Sequence, residues 1–439
     1  MLALFLVFII VNALMFVTII MFETSSKKII FWGLMVSLAS IFAYIPYILF
    51  FSDKWYIKRD LINKEHEDKI YNDLVDFQLE DKMSNCELMN FAKASYRANF
   101  YKNTSLDILY SLEEFNNSVI NDIDLAKEYV IIDTKIFMNC LNKDALVQSL
   151  LDRASVGVKV KVIYSQLPFK DRKIVKELKN NRIRVCKIDK QNNINNYYQH
   201  NKNIISVDGK VCYLYSTSKP KRKIDVTYFD LFYKYKGDIL HSIDLIAHQD
   251  TTYATNKFFD LPDNYKSVAN QLGEYQYITS SINNNFIDLI LKAIISAKSS
   301  IILHFDKFIP HESVLEAIKL AMKSGVNVKI MISKVNKQFG YYTSRSYVKE
   351  LASCGAICYF YDGHINSNYA IFDMKIVIMG NFSMINQNSM YDVQDVVITD
   401  DKKTVEKFVG FFVQSIKNSY KLNNSKRVLF REKFFREFM

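Results

Sequence analysis

The chain has 439 residues, 49% of them hydrophobic and 23% charged, and it carries a net charge of +11. That length supports a large core and two or more domains, and the basic excess suits an anionic partner: nucleic acid, a membrane surface or phosphate esters. The six cysteines (86, 140, 186, 212, 354 and 358) form no paired CxxC set. They exclude a cysteine-built zinc site and point to a reducing compartment, and nothing else in the sequence calls for a metal or a cofactor.

Residues 2–22 are almost wholly apolar, and 29–51 are apolar and uncharged. Each run is about the ~20 residues that cross a bilayer as a helix, so 1–51 is expected to be a two-span transmembrane hairpin turning at 23–28. The first run lacks the basic start and cleavage signature of a signal peptide. Lys54, Lys58, Arg59, Lys64 and Lys69 follow the second run, against Lys27 and Lys28 in the turn. This asymmetry places the main body in the cytoplasm and the protein in the cell membrane as a multi-pass chain. Residues 52–105 read as a juxtamembrane linker with short helices.

Beyond the linker one plan runs twice. LAKEYVIID (125–133) matches SAKSSIILH (296–304), each a helix end entering a strand. Helical patterns then end at Gly157 and Gly325, which fit helix C′ positions, and the near-identical strands VKVKVIYS and VNVKIMIS follow. The last paired strands are VDGKVCYLYSTS (207–218) and FDMKIVIMGNFS (372–383). Helices alternating with strands predict an α/β fold with a mostly parallel sheet in each copy, spanning 106–265 and 266–422. Two such halves are expected to face each other across a shared cleft at the carboxyl ends of their strands.

In QHNKNIISVDGK (199–210), His200 and Lys202 lie two apart and share a strand face. An imidazole can attack phosphorus or shuttle a proton, and an ammonium can neutralise phosphate oxygens, so the pair suits phosphodiester chemistry. A surface histidine and a solvated lysine in an asparagine-rich loop is the plainer reading of the same residues.

The two N-terminal runs, the duplicated α/β plan and these strand ends resemble a bacterial cardiolipin synthase of the phospholipase D superfamily. The resemblance covers nearly the whole chain, and FDLFYKYKG (229–237) and FIP (308–310) are similar to further elements of that family. The family carries H-x-K-x-x-x-x-D once per half, followed by a glycine-started turn with an asparagine. The resemblance implies that one His attacks a phospholipid phosphorus and the other protonates the departing alcohol. The lysines hold the phosphate, and a phosphatidyl group passes between two phosphatidylglycerols.

Carried onto this chain, the first motif gives His200, Lys202 and Asp208 as catalytic. Asp208 stands one residue farther than the pattern asks, which a bulge would have to absorb. Ser218 stands at the downstream asparagine. In the second motif Asn366 and Asn368 replace His and Lys, and Asp373 matches. Ser383 replaces the asparagine, and Gln394 replaces a supporting glutamate. His364, two residues before Asn366, is a candidate substitute acid. Residues 423–439 read as a basic amphipathic helix, lying on an anionic membrane or packed on the body.

The resulting expectation is a membrane-bound homologue whose phosphatidyl transfer is lost or impaired. It would bind an anionic phospholipid (phosphatidylglycerol or cardiolipin) and would act with an active paralogue or as a homo-oligomer. An active phosphatidyltransferase with His200 as nucleophile and a substitute acid is the alternative. The hydrophobic N-terminus and the lack of a basic-aromatic reader motif speak against nucleic acid.

Overall fold

The computed structural model describes residues 2–22, 26–48, 84, 86–139, 141–188, 200–216, 227–255, 274–280, 286–334, 339–385, 392–422, 432 and 436. The chain divides into two compact units, one of residues 1–76 with 190–198 and one of 77–189 with 199–439. Ser218, most of the 52–105 linker and most of the 423–439 tail lie outside the described residues.

In the first unit a helix Leu2–Phe22 is followed by helices Ser26–Ala39 and Ile41–Pro46. Met15, Ile19, Val36, Ala43 and Tyr47 form a small buried seam. A Cβ at Gly33 would lie 2.3 Å from the Phe16 ring, so the glycine lets the helices close. Val7, Phe8, Ile10, Leu14 and Met21 point outward. The expected second span is not one helix: Ser40 takes φ 50° and ends Ser26–Ala39. Described side chains of the first helix cover only 7–21, and no helix among the described residues is long and apolar enough to cross a membrane. The two-span hairpin of the sequence reading is therefore not carried by the fold.

In the second unit the first half supplies β1 Thr104–Leu109, β2 Tyr129–Ile136, β3 Lys159–Gln166, β4 Arg184–Lys187, β5 Asn203–Val207, β6 Val211–Tyr215, β7 Tyr228–Phe229 and β8 Phe232–Gly237. The second half supplies β9 Tyr275–Thr279, β10 Ser300–Phe305, β11 Phe308–Ile309, β12 Asn327–Ser333, β13 Ile357–Tyr361, β14 His364–Ile365, β15 Asn368–Phe372, β16 Ile376–Asn381, β17 Met384–Ile385, β18 Asp395–Thr399 and β19 Ser419–Lys421. One sheet has the order β1-β8-β6-β5-β2-β3-β4 and the other β19-β13-β12-β10-β15-β16-β18-β9. β2-β3-β4 and β10-β12-β13 are parallel, and the strands after them return antiparallel. Each half is thus mixed rather than mostly parallel.

Local chemistry fixes the boundaries. Ser111 accepts from the Glu114 N–H and caps the helix Leu112–Asp124, and Asp401 caps Lys402–Lys417 through the Thr404 N–H. Gly157 and Gly325 hold φ +94° and +90° at helix C-termini, as their positions before β3 and β12 predict. The outer faces of the sheets bury separate apolar clusters around Val130, Leu150 and Val162, and around Ile290, Leu303 and Ile330. The facing layer draws on both halves, with Ile204, Tyr235 and Ile243 beside Tyr277, Tyr369 and Phe408. Each large side chain buried there contributes roughly 1.5–3 kcal/mol, so the halves are joined by a true core.

Candidate functional site

Two aspartates fix the register of the repeat. Asp208 and Asp373 both adopt left-handed φ, 52° and 53°. The Asp208 carboxylate accepts from the N–H groups of Lys127, Glu128 and Tyr129 at 2.8–2.9 Å. The Asp373 carboxylate accepts from Lys298, Ser299 and Ser300 at 2.7–3.0 Å. Burial pushes the Asp373 carboxyl up, but these N–H groups outweigh it and hold its pKa low. In each half a five-residue strand runs directly into this aspartate, from Asn203 in β5 and from Asn368 in β15.

The residues before those strands confirm the pairing. Asn203 Oδ1 accepts from the Lys135 N–H at 3.2 Å, and Asn368 Oδ1 accepts from the Asp306 N–H at 3.1 Å. Asn201 N–H donates to Val393 O at 2.8 Å across the halves, and Asn366 N–H donates to Phe229 O at 3.0 Å in the opposite direction. Asn201 and Asn203 are therefore the counterparts of Asn366 and Asn368. Both halves carry Asn-x-Asn-x-x-x-x-Asp, and no bulge separates Asp208 from its strand. His200 and Lys202 stand one residue off the repeat position, and an odd step in an extended chain turns a side chain to the other face.

On that other face they enter a buried charge cluster. His200 Nε2 lies 2.7 Å from Asp133 Oδ1, and Lys202 Nζ lies 2.5 Å from Asp250 Oδ2. His200 is 2% exposed and Lys202 3%. Asp395, 0% exposed, faces this cluster from the second half, with no hydrogen-bond partner for either oxygen among the described residues. Burial pushes its carboxyl up to about 8, with Lys202 opposing and Asp133 adding to the rise. Burial likewise raises Asp133 to about 6, and His200 opposes. Burial alone would lower His200, but the Asp133 carboxylate outweighs it and holds the imidazole pKa above its ordinary value. One ligand atom each from Asp133, His200 and Asp250 lies within 4.8 Å of the others, and the Lys202 ammonium already supplies a cation to Asp250 there. In the second half the place of Asp133 is taken by His304, stacked on Tyr369 at 4.4 Å, whose pKa burial drives down to about 3.

The halves meet at the motif strands. Asn366 Nδ2 donates to Asp230 Oδ1, Asn381 Nδ2 to Asn201 O, and Ser216 Oγ to Asn381 Oδ1 at 3.3 Å. β14 pairs with β7 in parallel, joining His364 to Tyr228. His364 Nδ1 is held 2.9 Å from Asp306 Oδ1. Ser383 N–H donates to Gln394 Oε1 at 3.1 Å. Gly380, inside β16 and opposite Asn368 and Val396, holds φ +139°, and a Cβ there would meet Asp395 O at 2.7 Å, which explains the glycine. Lys135 shares the face of Asp133 at the carboxyl end of β2 and is half-buried. Burial lowers its pKa, Asp392 opposes, and Lys307 of the second half lowers it further.

Sequence reasoning missed Asp133, Asp250, Asp395 and Lys135. The four-residue gap before Asp373, applied strictly to Asp208, was the available signal for the asparagine pair in the first half. The tail contributes two described residues: Glu432 lies 2.6 Å from Lys349, and Arg436 stacks 4.0 Å over the Tyr347 ring. At those positions the tail packs on the body.

Residues 290–416 match the family model described as "Cardiolipin synthase, PLD-like domain". The major cardiolipin synthase of Bacillus subtilis is 26% identical, covering 94% of this chain and 93% of that protein. A cardiolipin synthase of Listeria welshimeri is 27% identical over 71% of this chain and 68% of its own length. Among solved structures, phosphatidylserine synthase of Haemophilus influenzae superposes with a TM-score of 0.58, covering 80% of this chain and 97% of that one at 10% identity. That likeness is one of fold.

Proposed function

This chain belongs to the cardiolipin synthase family of the phospholipase D superfamily, and from that premise we propose that it serves phospholipid metabolism by binding anionic phospholipid without transferring it. The carrying observation is the asparagine pair at equivalent strand ends in both halves, Asn201 with Asn203 and Asn366 with Asn368. An amide accepts no proton at neutral pH, forms no covalent phosphoryl intermediate and brings no positive charge. Loss of one general acid or base costs roughly 10²–10⁴ in rate. Here both motif positions lack one, and the cations beside them are gone as well.

His200 does not stand in as the nucleophile in this reading, because its Nε2 is occupied by Asp133 in a buried cluster. The substitute acid His364 is likewise tied to Asp306. The outward apolar side chains of the first unit support a membrane seat for its helices, and the basic flank in the sequence suits an anionic lipid surface. Phosphatidylglycerol or cardiolipin is the lipid class, and an active relative or a second copy of this chain is the partner through which binding would regulate synthesis.

Turnover of labelled phosphatidylglycerol by the purified, detergent-solubilised chain tests the reading. No cardiolipin and no glycerol are expected, with lipid binding retained. Cardiolipin formed by the wild type and lost in His200→Ala would overturn it in favour of a working transferase.

A further inference from the structure

The repeat sets two helices at one position of the plan. The helix Phe339–Ser353 lies between β12 and β13, and the helix Arg172–Asn180 lies between β3 and β4. The former receives a segment of its own chain: Lys349 and Arg345 meet Glu432 at 2.6 and 3.2 Å, and Arg436 stacks over the Tyr347 ring. The latter has no such cover among the described residues. Its Val175 and Leu178 are buried on the body, while every lysine and arginine between 170 and 187 is exposed, and Glu177 is the one exposed acid there. Arg172, Lys176 and Lys179 follow one another at i, i+4 and i+7 and form a single stripe. Asp171, the acid before them, is buried, and its charge is met by Lys143.

Phe169 heads that stripe. It sits in a short 3-10 turn after β3, 81% exposed, with the Arg172 guanidinium 4.6 Å over its ring. A lone exposed aromatic is ordinary on a protein surface. Here Leu167 and Pro168 beside it are half-buried, so the tip is apolar and its flank is basic. A ring leading a row of cations is the layout of an interfacial element, with the apolar part at the headgroup boundary and the cations on anionic headgroups. The turn stands at the end of the sheet where the first motif strand begins, since Gln166 pairs with Ile136 in β2 and Asn203 pairs with Thr134.

We propose that Phe169 and the stripe of Arg172, Lys176 and Lys179 dock this half onto an anionic bilayer. The ring enters the headgroup boundary, and the cations lie on the headgroups. Docking by this edge turns the motif end of the sheet toward the lipid. The surface is separate from the motif strands, so it goes beyond the lipid-binding reading and stands whether or not that reading does.

Phe169→Trp in the full chain, reconstituted into vesicles, reads the contact directly once the emission of the native Trp32 and Trp55 is subtracted. In mixed phosphatidylglycerol and phosphatidylcholine vesicles the added emission is expected to shift to the blue and to be quenched by chain-brominated lipid. In phosphatidylcholine alone it should stay that of a ring in water. Adding Lys176→Gln with Lys179→Gln should lower the docked-to-free ratio roughly twentyfold to thirtyfold, at about fivefold per cation. That variant should unfold at the same denaturant concentration as its parent, because both side chains are exposed. A water-like emission in both kinds of vesicle, equal quenching in both, or quenching that survives the two lysine substitutions would each overturn the proposal. A blue shift with a single-stranded oligonucleotide but none with anionic vesicles would overturn it in favour of nucleic acid. Turnover of labelled phosphatidylglycerol tests the lipid-binding reading separately, so either can fail without the other.

Discussion

Asp395→Asn offers the sharpest perturbation of the layer between the halves. The wild-type carboxyl is fully buried and has no hydrogen-bond partner among the described residues, and it holds its proton up to about 8 against roughly 3.9 in an unfolded chain. Between those values the folded protein binds a proton that the unfolded chain has released. Stability contributed by this group is therefore complete below about pH 4 and is lost as pH rises toward 8. A shift of about four units at ~1.4 kcal/mol each sets a ceiling on the order of 5 kcal/mol across the window. Asn keeps the shape and cannot ionise, so the variant should lose this slope and gain stability at pH 8. His200 and Asp133 are also raised, so their slopes run the same way and remain in both proteins, which leaves the difference to Asp395. Denaturant unfolding in detergent at half-unit steps from pH 4.5 to 8 measures it. Parallel curves for wild type and variant would refute the reasoning.

His200→Ala leaves Asp133 buried without its partner and should cost about 3–5 kcal/mol in unfolding experiments, while phosphatidylglycerol turnover stays at its basal level. Asp373→Ala removes the acceptor of three backbone N–H groups and should destabilise by about 2–4 kcal/mol. Because that carboxyl is held low, its contribution is present above the unfolded pKa and disappears as pH falls, so wild type and variant should converge in acid. Gly380→Ala forces a Cβ against Asp395 O at a positive-φ position within β16 and should lower the thermal midpoint, with a cost of roughly 1–3 kcal/mol.

The fold was legible where the repeat is loudest. The glycine-led strands β3 and β12 are read directly from GVKVKVIYS and GVNVKIMIS, because both the C′ glycine and the alternation are local signals. The site was less so. His-x-Lys at 200–202 matches a motif to the eye, yet register is set by the aspartate cradle three strands of backbone away, at residues 127–129. Asp250 and Asp395 reach the cluster from a helix and from the other half, a tertiary convergence that no spacing encodes. The second apolar run looked long enough to span a bilayer, but the backbone turn at Ser40 is decided by packing around Val36 and Tyr47, not by hydropathy.

The reciprocal strand contacts, Asn201 to Val393 and Asn366 to Phe229, have a consequence for synthesis on the ribosome. Val393 emerges about 190 residues after Asn201, and at 5–20 residues per second that is on the order of ten seconds or more. Throughout that interval the first sheet exists with Asn201 unpaired and the layer that will meet Tyr277, Tyr369 and Phe408 open to water. The nascent first half is thus a natural client for a chaperone, and a translational pause before residue 393 would lengthen the period in which two such chains can pair with each other instead of with themselves.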